Sequence, residues 1–308
     1  MQSLKSRIIL GLFVNQHLFK FQFKRKPFDP SFEALVSMRE KTEKAATRFG
    51  KIPQEIEITP TNTGSRYAEW VKLASNPKEK VMLYFHGGFY MIGSPQSHRQ
   101  HVVKFVQEAG INALVFDYRL APEHPFPAGL EDALEAYEFL LSEGFTSKNM
   151  VFAGDSAGGG LCLATLLALK EQGKELPKAA AVLSPWTDLL LTGKSHQFNK
   201  KKCFSPIGCA ESASKIYAGT YNPKNPLISP LYGDLKGLPP LHISAGGNET
   251  LLDDSVMFAE KARAAGVLVT FRSDAGMCHC YPAFGNMFRE SRIALAEICQ
   301  HLKKHINE

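Results

Sequence analysis

Six short, nearly continuous apolar runs constrain what this 308-residue chain can fold into. Four of them are Val81–Phe85, Ala113–Phe116, Met150–Ala153 and Ala179–Leu183; Leu241–Ser244 and Leu268–Phe271 extend the series. A strand with one wet face alternates apolar and polar residues, whereas a strand that is apolar at every position is buried on both faces. Helices supply that cover, and helical stretches separate these runs. The pattern therefore predicts an α/β fold with a mostly parallel central sheet flanked by helices. With 44% hydrophobic and 21% charged residues, the chain can bury a large core without help from disulfides or metal.

Two parts of the chain break this rhythm. Residues 1–50 read as helical, with Pro27 and Pro30 dividing a segment over 3–20 from one over about 31–48, the latter capped by Ser31. Between Pro185 and Pro230 lie Lys200, Lys201 and Lys202, several aromatics and Asn222-Pro223-Lys224-Asn225-Pro226, a stretch too long for an ordinary strand–helix link. It follows a strand, on the edge where open α/β sheets bind ligands. The expected organisation is thus 1–50 as N-terminal cap helices, 51–184 with 227–308 as the catalytic domain, and 185–226 as a cap insertion. At the start of that domain, Ile56–Ile58 and Tyr67–Leu73 read as short alternating strands, with turns at Thr61–Gly64 and Ser75–Pro77.

Charge is uneven. Residues 1–51 carry a net +7 and the remaining 257 a net −1, and residues 1–28 contain no acid. The apolar stretch Ile8–Val14 is too short to span a bilayer and lacks a small-residue cleavage site behind it. It reads as a cap helix over the site, with a basic amphipathic segment on a membrane surface as the alternative. No basic stripe crosses the body of the chain, so nucleic acid is not an expected partner. Six sparse cysteines (162, 203, 209, 278, 280 and 299) suit a reducing, cytoplasmic compartment. Cys278-His279-Cys280 has no second pair at ligand spacing, so neither metal nor cofactor is expected.

The chemistry concentrates in three motifs. Gly154-Asp155-Ser156-Ala157-Gly158 follows the run Met150–Ala153 and precedes Leu161–Leu169, which is rich in helix formers. Strand, glycine turn and helix form the setting of a nucleophile elbow, in which small neighbours let a serine sit on a tight turn. No Gly-Lys-Ser/Thr follows Gly158-Gly159-Gly160, which excludes a phosphate-binding P-loop. A serine hydroxyl needs a base, and the base needs an acid to hold its tautomer. His279, in a loop after the last run, is the candidate base. Glu249 near the end of the Leu241–Ser244 strand is the leading acid and Asp253 the alternative; Asp253 and Asp254 are expected to cap or solvate a helix beginning near 251. The amides of Gly87 and Gly88, after the Val81–Phe85 strand, and of Ala157 are the expected donors to an oxyanion. His86 is expected to brace that loop.

These motifs together resemble the hormone-sensitive-lipase-like (family IV) carboxylesterases of the α/β-hydrolase superfamily. The resemblance covers roughly residues 80–285, from His86-Gly87-Gly88-Phe89 through Ser184-Pro185-Trp186-Thr187-Asp188 to His279. Asp117-Tyr118-Arg119-Leu120-Ala121-Pro122-Glu123-His124-Pro125-Phe126-Pro127-Ala128 matches a loop of that group almost word for word, and gives Glu123 and His124 structural roles. The group's usual Asp-Pro-Leu-x-Asp at the acid reads Glu249-Thr250-Leu251-Leu252-Asp253 here, which aligns Glu249 with the catalytic acid. The resemblance implies a serine hydrolase of short- to medium-chain acyl esters, lactones included, with a helical cap. An amide or formamide hydrolase on the same triad, or a ligand-binding protein on a hydrolase scaffold, are the alternatives. The expected partners are a small-molecule ester, a membrane surface touched weakly by the basic arm, and a second copy of the chain.

Overall fold

The structure, a computed structural model, describes residues 2–15, 27–46 and 51–308. Two helices, α1 (Leu4–Val14) and α2 (Phe32–Ala46), precede a hairpin of β1 (Ile56–Thr63) and β2 (Arg66–Leu73). Then β3 (Val81–Phe85), α3 (Pro95–Ala109), β4 (Asn112–Phe116), α4 (Ala128–Ser142), β5 (Met150–Asp155), α5 (Ser156–Glu171) and β6 (Ala180–Leu183) alternate. Short helices α6 (Ser195–Phe198) and α7 (Cys209–Ala218) follow, and β7 (Leu241–Gly246), α8 (Leu252–Ala264), β8 (Val269–Asp274) and α9 (Arg289–Ile306) complete the chain.

All six apolar runs are strands of one eight-stranded sheet, in the order β1-β2-β4-β3-β5-β6-β7-β8. The hairpin pairs antiparallel with itself and with β4, and every other pairing is parallel. Strands β3 to β7 are buried at every position. On one face, Met82, Tyr84, Val115 and Val151 pack against Val102, Phe105, Ile298 and Leu302 of α3 and α9. On the other, Leu83, Phe85, Phe152 and Ile243 pack against α4, α5 and α8. Residues 156–169 of α5 are buried all round, which explains why its sequence shows no polar face.

The first expected turn falls later than its composition indicated. β1 continues through Thr61, Asn62 and Thr63, paired with Ala68, Tyr67 and Arg66, and the reversal occurs at Gly64, whose φ of +57° suits glycine. Helix α1 ends at Asn15, whose amide and side chain both donate to the Gly11 carbonyl. The rest of the expected 3–20 helix, and Lys20, Lys24, Arg25 and Lys26, lie outside the described residues. Ser31 caps α2 through the Ala34 amide, at 3.4 Å.

Both N-terminal helices dock on loops at the edge of the sheet where the motifs meet. Leu10 of α1 is buried against Met277, Cys278 and Tyr281, and Ser3 and Ser6 bond Glu290 at the start of α9. Arg39 of α2 donates to the Met91 and Ala121 carbonyls at 2.7 and 3.0 Å, and pairs with Glu123. The segment after β6 joins them: the Phe28 amide donates to Ile207 at 2.8 Å, and Tyr217 of α7 stacks on Tyr90 at 3.7 Å between ring centroids.

Candidate active site

Ser156 occupies the junction of β5 and α5 with φ +54°, a left-handed backbone that a serine adopts only when its surroundings enforce it. The enforcement is steric. A Cβ on Gly158 would lie 2.2 Å from the Phe85 carbonyl oxygen, and one on Gly154 would lie 2.8 Å from that of Gly158. Only glycine lets the turn pass this close to β3, and the turn delivers the Ser156 hydroxyl to His279 Nε2 at 2.9 Å.

On its other nitrogen, Nδ1, His279 pairs with Glu249 Oε2. Glu249 is fully buried just past the end of β7, and its Oε1 accepts from the Gly246 amide at 2.5 Å and the Ser184 hydroxyl at 2.8 Å. Ser184 Oγ also accepts from the Cys280 amide at 2.9 Å, so one side chain positions both Glu249 and the residue after His279. Asn199, from the segment after β6, donates to the Glu249 and Gly247 carbonyls at 2.9 and 3.0 Å. Sequence reading assigned no role to Ser184 or Asn199. Ser184 was visible only as part of the Ser-Pro-Trp-Thr-Asp motif, and Asn199 carried no signal.

The structure brings Glu249 to His279 and takes Asp253 elsewhere: Asp253 Oδ2 accepts from the Ser195 amide at 2.9 Å. Asp254 corrects the expectation of a solvated or capping acid. It is fully buried and accepts from the amides of Thr187 and Asp188 at 3.1 and 2.9 Å and faces His196 Nε2 at 3.0 Å. Burial holds its carboxyl above the usual range even so, opposed by the bond to His196. It ties the loop after β6 to α8.

One expected oxyanion donor is also corrected. The Gly87 amide donates to Asp155 Oδ1 at 3.1 Å, because the carboxylate preceding Ser156 turns back under the loop. A Cβ on Gly87 would lie 2.3 Å from Asp155 Oδ2, so only glycine fits this contact. Beyond it, Gly88 has φ +127° and Phe89 and Tyr90 have φ +58° and +62°, a run that turns the chain sharply over Ser156. The Gly88 carbonyl accepts from the Met91 and Ile92 amides at 3.0 and 2.9 Å. Among the described residues no acceptor lies against the amides of Gly88 and Phe89. His86 braces this loop as expected: it is buried, its Nδ1 lies 2.9 Å from the Gly87 carbonyl, and its ring stacks on Tyr118 at 4.2 Å.

A family model described as alpha/beta hydrolase fold matches residues 82–283. An acetyl-hydrolase of Streptomyces hygroscopicus is 40% identical over 257 residues, 82% of this chain and 84% of its own. An esterase of Acinetobacter venetianus is 34% identical, over 80% and 81% of the two chains. Among solved structures, an esterase from the bacterial hormone-sensitive lipase family superposes with a TM-score of 0.89 at 35% identity, covering 99% of both chains. A hormone-sensitive lipase from a metagenome library gives 0.90 at 33% identity, covering 99% of this chain and all of its own.

The chain is a hormone-sensitive-lipase-like esterase of the α/β-hydrolase family. It is a serine hydrolase of carboxylic esters.

Around His279 the esterase has a narrow cavity of about 40 Å³. Phe89, Trp186 and Leu251 form its apolar walls, and Pro206 and Ile207 from the segment after β6 close it. That volume holds roughly three waters. Ser156 itself is only 5% exposed.

Proposed function

We propose that Ser156, His279 and Glu249 hydrolyse short-chain acyl esters through an acyl-enzyme. The observation that carries this reading is the unbroken path from Ser156 Oγ to His279 Nε2 and from His279 Nδ1 to the buried Glu249 carboxylate. Ser156 Oγ attacks the ester carbonyl while His279 Nε2 takes the hydroxyl proton. The resulting imidazolium stays paired with Glu249, which holds Nδ1 protonated throughout. Charge on the former carbonyl oxygen is met by the amides of Gly88, Phe89 and Ala157. His279 then returns its proton to the departing alkoxide, leaving an ester on Ser156. Water enters, His279 removes one of its protons, and the second collapse releases the acid and restores the serine.

The narrow cavity supports acetyl and other short acyl groups over the medium-chain end of the range. Relatives named acetyl-hydrolase and ethyl acetate hydrolase support the same end. Residues 1–50 and 185–226 act as the cap, since α1, α2 and Ile207 converge on the loops that carry His279 and the oxyanion donors. The compartment proposed is the cytoplasm, on the strength of six free cysteines. Weak contact with anionic membranes is proposed for α1, where Leu4, Ile8 and Leu12 form one exposed stripe beside Lys5 and Arg7.

The deciding experiment compares the enzyme with Ser156→Ala on p-nitrophenyl esters from two to twelve carbons, and on N-formylkynurenine as a formamide. Expected are a maximum at two to four carbons, little formamide cleavage, and loss of all hydrolysis in the variant. Unimpaired hydrolysis by Ser156→Ala would overturn the reading.

A further inference from the structure

Behind the nucleophile lies a buried cluster of charge that the steps above do not use. Asp155 Oδ1 accepts from the Gly87 amide and from the Tyr84 hydroxyl, at 3.1 and 3.0 Å. Its Oδ2 lies 3.7 Å from Nε2 of His98, on the first turn of α3. The other ring nitrogen of His98 faces the Ser94 carbonyl at 3.3 Å and Ser97 Oγ at 3.1 Å. Ser97 Oγ also lies 3.0 Å from the Ser94 carbonyl, within reach of its own proton. The Ser94 carbonyl thus faces one ring nitrogen of His98 and the Asp155 carboxylate the other, an arrangement that the doubly protonated imidazolium suits.

We propose that His98 is a positioning residue for the oxyanion loop: its imidazolium fixes the Asp155 carboxylate, which holds the Gly87 amide and so aims the amides of Gly88 and Phe89. This rests on the reading of those amides as oxyanion donors. The linkage is buried at each step, and its His98–Asp155 pair lies 3.7 Å apart. The side chains of His98 and Asp155 are 11% and 9% exposed. Gly87 is held from both sides, since its carbonyl faces His86 Nδ1 at 2.9 Å. The same carboxylate lies 4.0 Å from Cys280 Sγ, beside His279, so the loop and the base share one anchor.

The ionisable groups around His98 are Asp155 from β5, His86 after β3, His101 on its own helix and Glu43 from α2; Tyr84 and Cys280 face Asp155. Burial, and then the charge on His98, push His86 and His101 down to about 3, so both are neutral near pH 7. Burial pushes Tyr84 and Cys280 well above their usual range, so neither carries charge. Burial lowers His98, but Asp155, then the bond to the Ser94 carbonyl and the charge of Glu43, outweigh it and the proton is held above the usual histidine range. As rising pH removes that proton, the carboxylate loses its counter-charge and its hold on the loop loosens.

His98→Gln keeps a donor toward Asp155 and removes the charge. Its kcat for p-nitrophenyl acetate should fall at least tenfold with KM within twofold, because an oxyanion contact acts only in the transition state. In the unaltered enzyme, kcat should decline at alkaline pH with the midpoint at which the His98 ring C–H signal titrates by NMR, and His98→Gln should lack that decline. A kcat within twofold of the unaltered enzyme, or an unchanged alkaline decline in the variant, overturns the proposal. Should His98→Gln not fold, a kcat midpoint in the unaltered enzyme that differs from the NMR midpoint overturns it, and coincidence supports it. Ser156→Ala is assayed alongside. If it retains hydrolysis, the reading of the site has failed; if it is inactive while His98→Gln is unaffected, only this inference has.

Discussion

At the scale of single residues, the acid is the sharpest case. Glu249 reaches His279, and Asp253 caps a turn at Ser195. Glu249→Gln should cut kcat on the order of 10⁴-fold, by letting the imidazole take the wrong tautomer. Asp253→Asn should leave turnover within a fewfold and cost about 1 kcal/mol of stability, the worth of one hydrogen bond. Steady-state kinetics beside urea unfolding separates the two, and the reverse pattern would move the acid to Asp253. Asp155 gives a pH prediction. Burial raises its carboxyl, but His98 and the Tyr84 hydroxyl outweigh that and hold it below the usual 3.8. A carboxyl lowered by folding adds stability that is complete above the unfolded value and is lost as pH falls through the folded one. The stability gap between the enzyme and Asp155→Asn, read from urea midpoints, should therefore be widest near neutrality and shrink below about pH 4.

At the scale of elements, the elbow is a problem of packing distance. The first turn of α5 approaches β3 so closely that a methyl on Gly158 would sit 2.2 and 2.3 Å from the Phe85 and His86 carbonyl oxygens. Backbone cannot yield as a side-chain tip can. Gly158→Ala should cost about 3 kcal/mol or more and abolish labelling of Ser156 by a fluorophosphonate. Helix α2 acts through one arginine. Arg39 gathers the Met91 and Ala121 carbonyls and Glu123, fastening the helix to the loop after Gly88. The pair is a quarter to a third exposed, so solvent screens it, and Arg39→Ala should cost about 1 kcal/mol. The informative effect is on KM for longer acyl chains, which should change while that for acetate does not.

For the whole molecule, the question is what the proposed cap does. Helices α1 and α2 and the segment after β6 pack on loops beside the site without supplying any of Ser156, His279 or Glu249. Deleting residues 1–46 should leave Ser156 reactive to a small fluorophosphonate and shift the acyl-length profile; an unchanged profile would show that the arm is not a cap. Vesicles of phosphatidylserine should retain the intact protein more than the truncated one at low salt, and the difference should fade at 0.5 M salt as screening shortens the reach of the charges. No binding by either form would remove the membrane proposal. Among the described residues, no helix is long and apolar enough to cross a membrane.

What the chain determined by itself is what a few neighbouring residues can encode. Runs such as Val81–Phe85 and Met150–Ala153 announce strands buried on both faces, because both side-chain rows must be apolar. Gly154 to Gly158 announces a turn that presents a serine, because only small residues fit beside it. The meeting of Ser156 with His279, and of His279 with Glu249, was legible on those terms. Tertiary structure decided the rest. The direction of the Gly87 amide depends on where the Asp155 carboxylate points at the end of β5, and the two residues are far apart in the chain. Asp254 looks like any acid in the first turn of a helix until the loop after β6 folds over it and buries it. Ser184 and Asn199 bear on the acid only because β6 lies beside β7 in the sheet and the chain beyond β6 returns to Glu249. A hydroxyl or an amide has no intrinsic preference for any of these partners. Burial decides, because a polar group removed from water must find whichever partner the packing brings within reach.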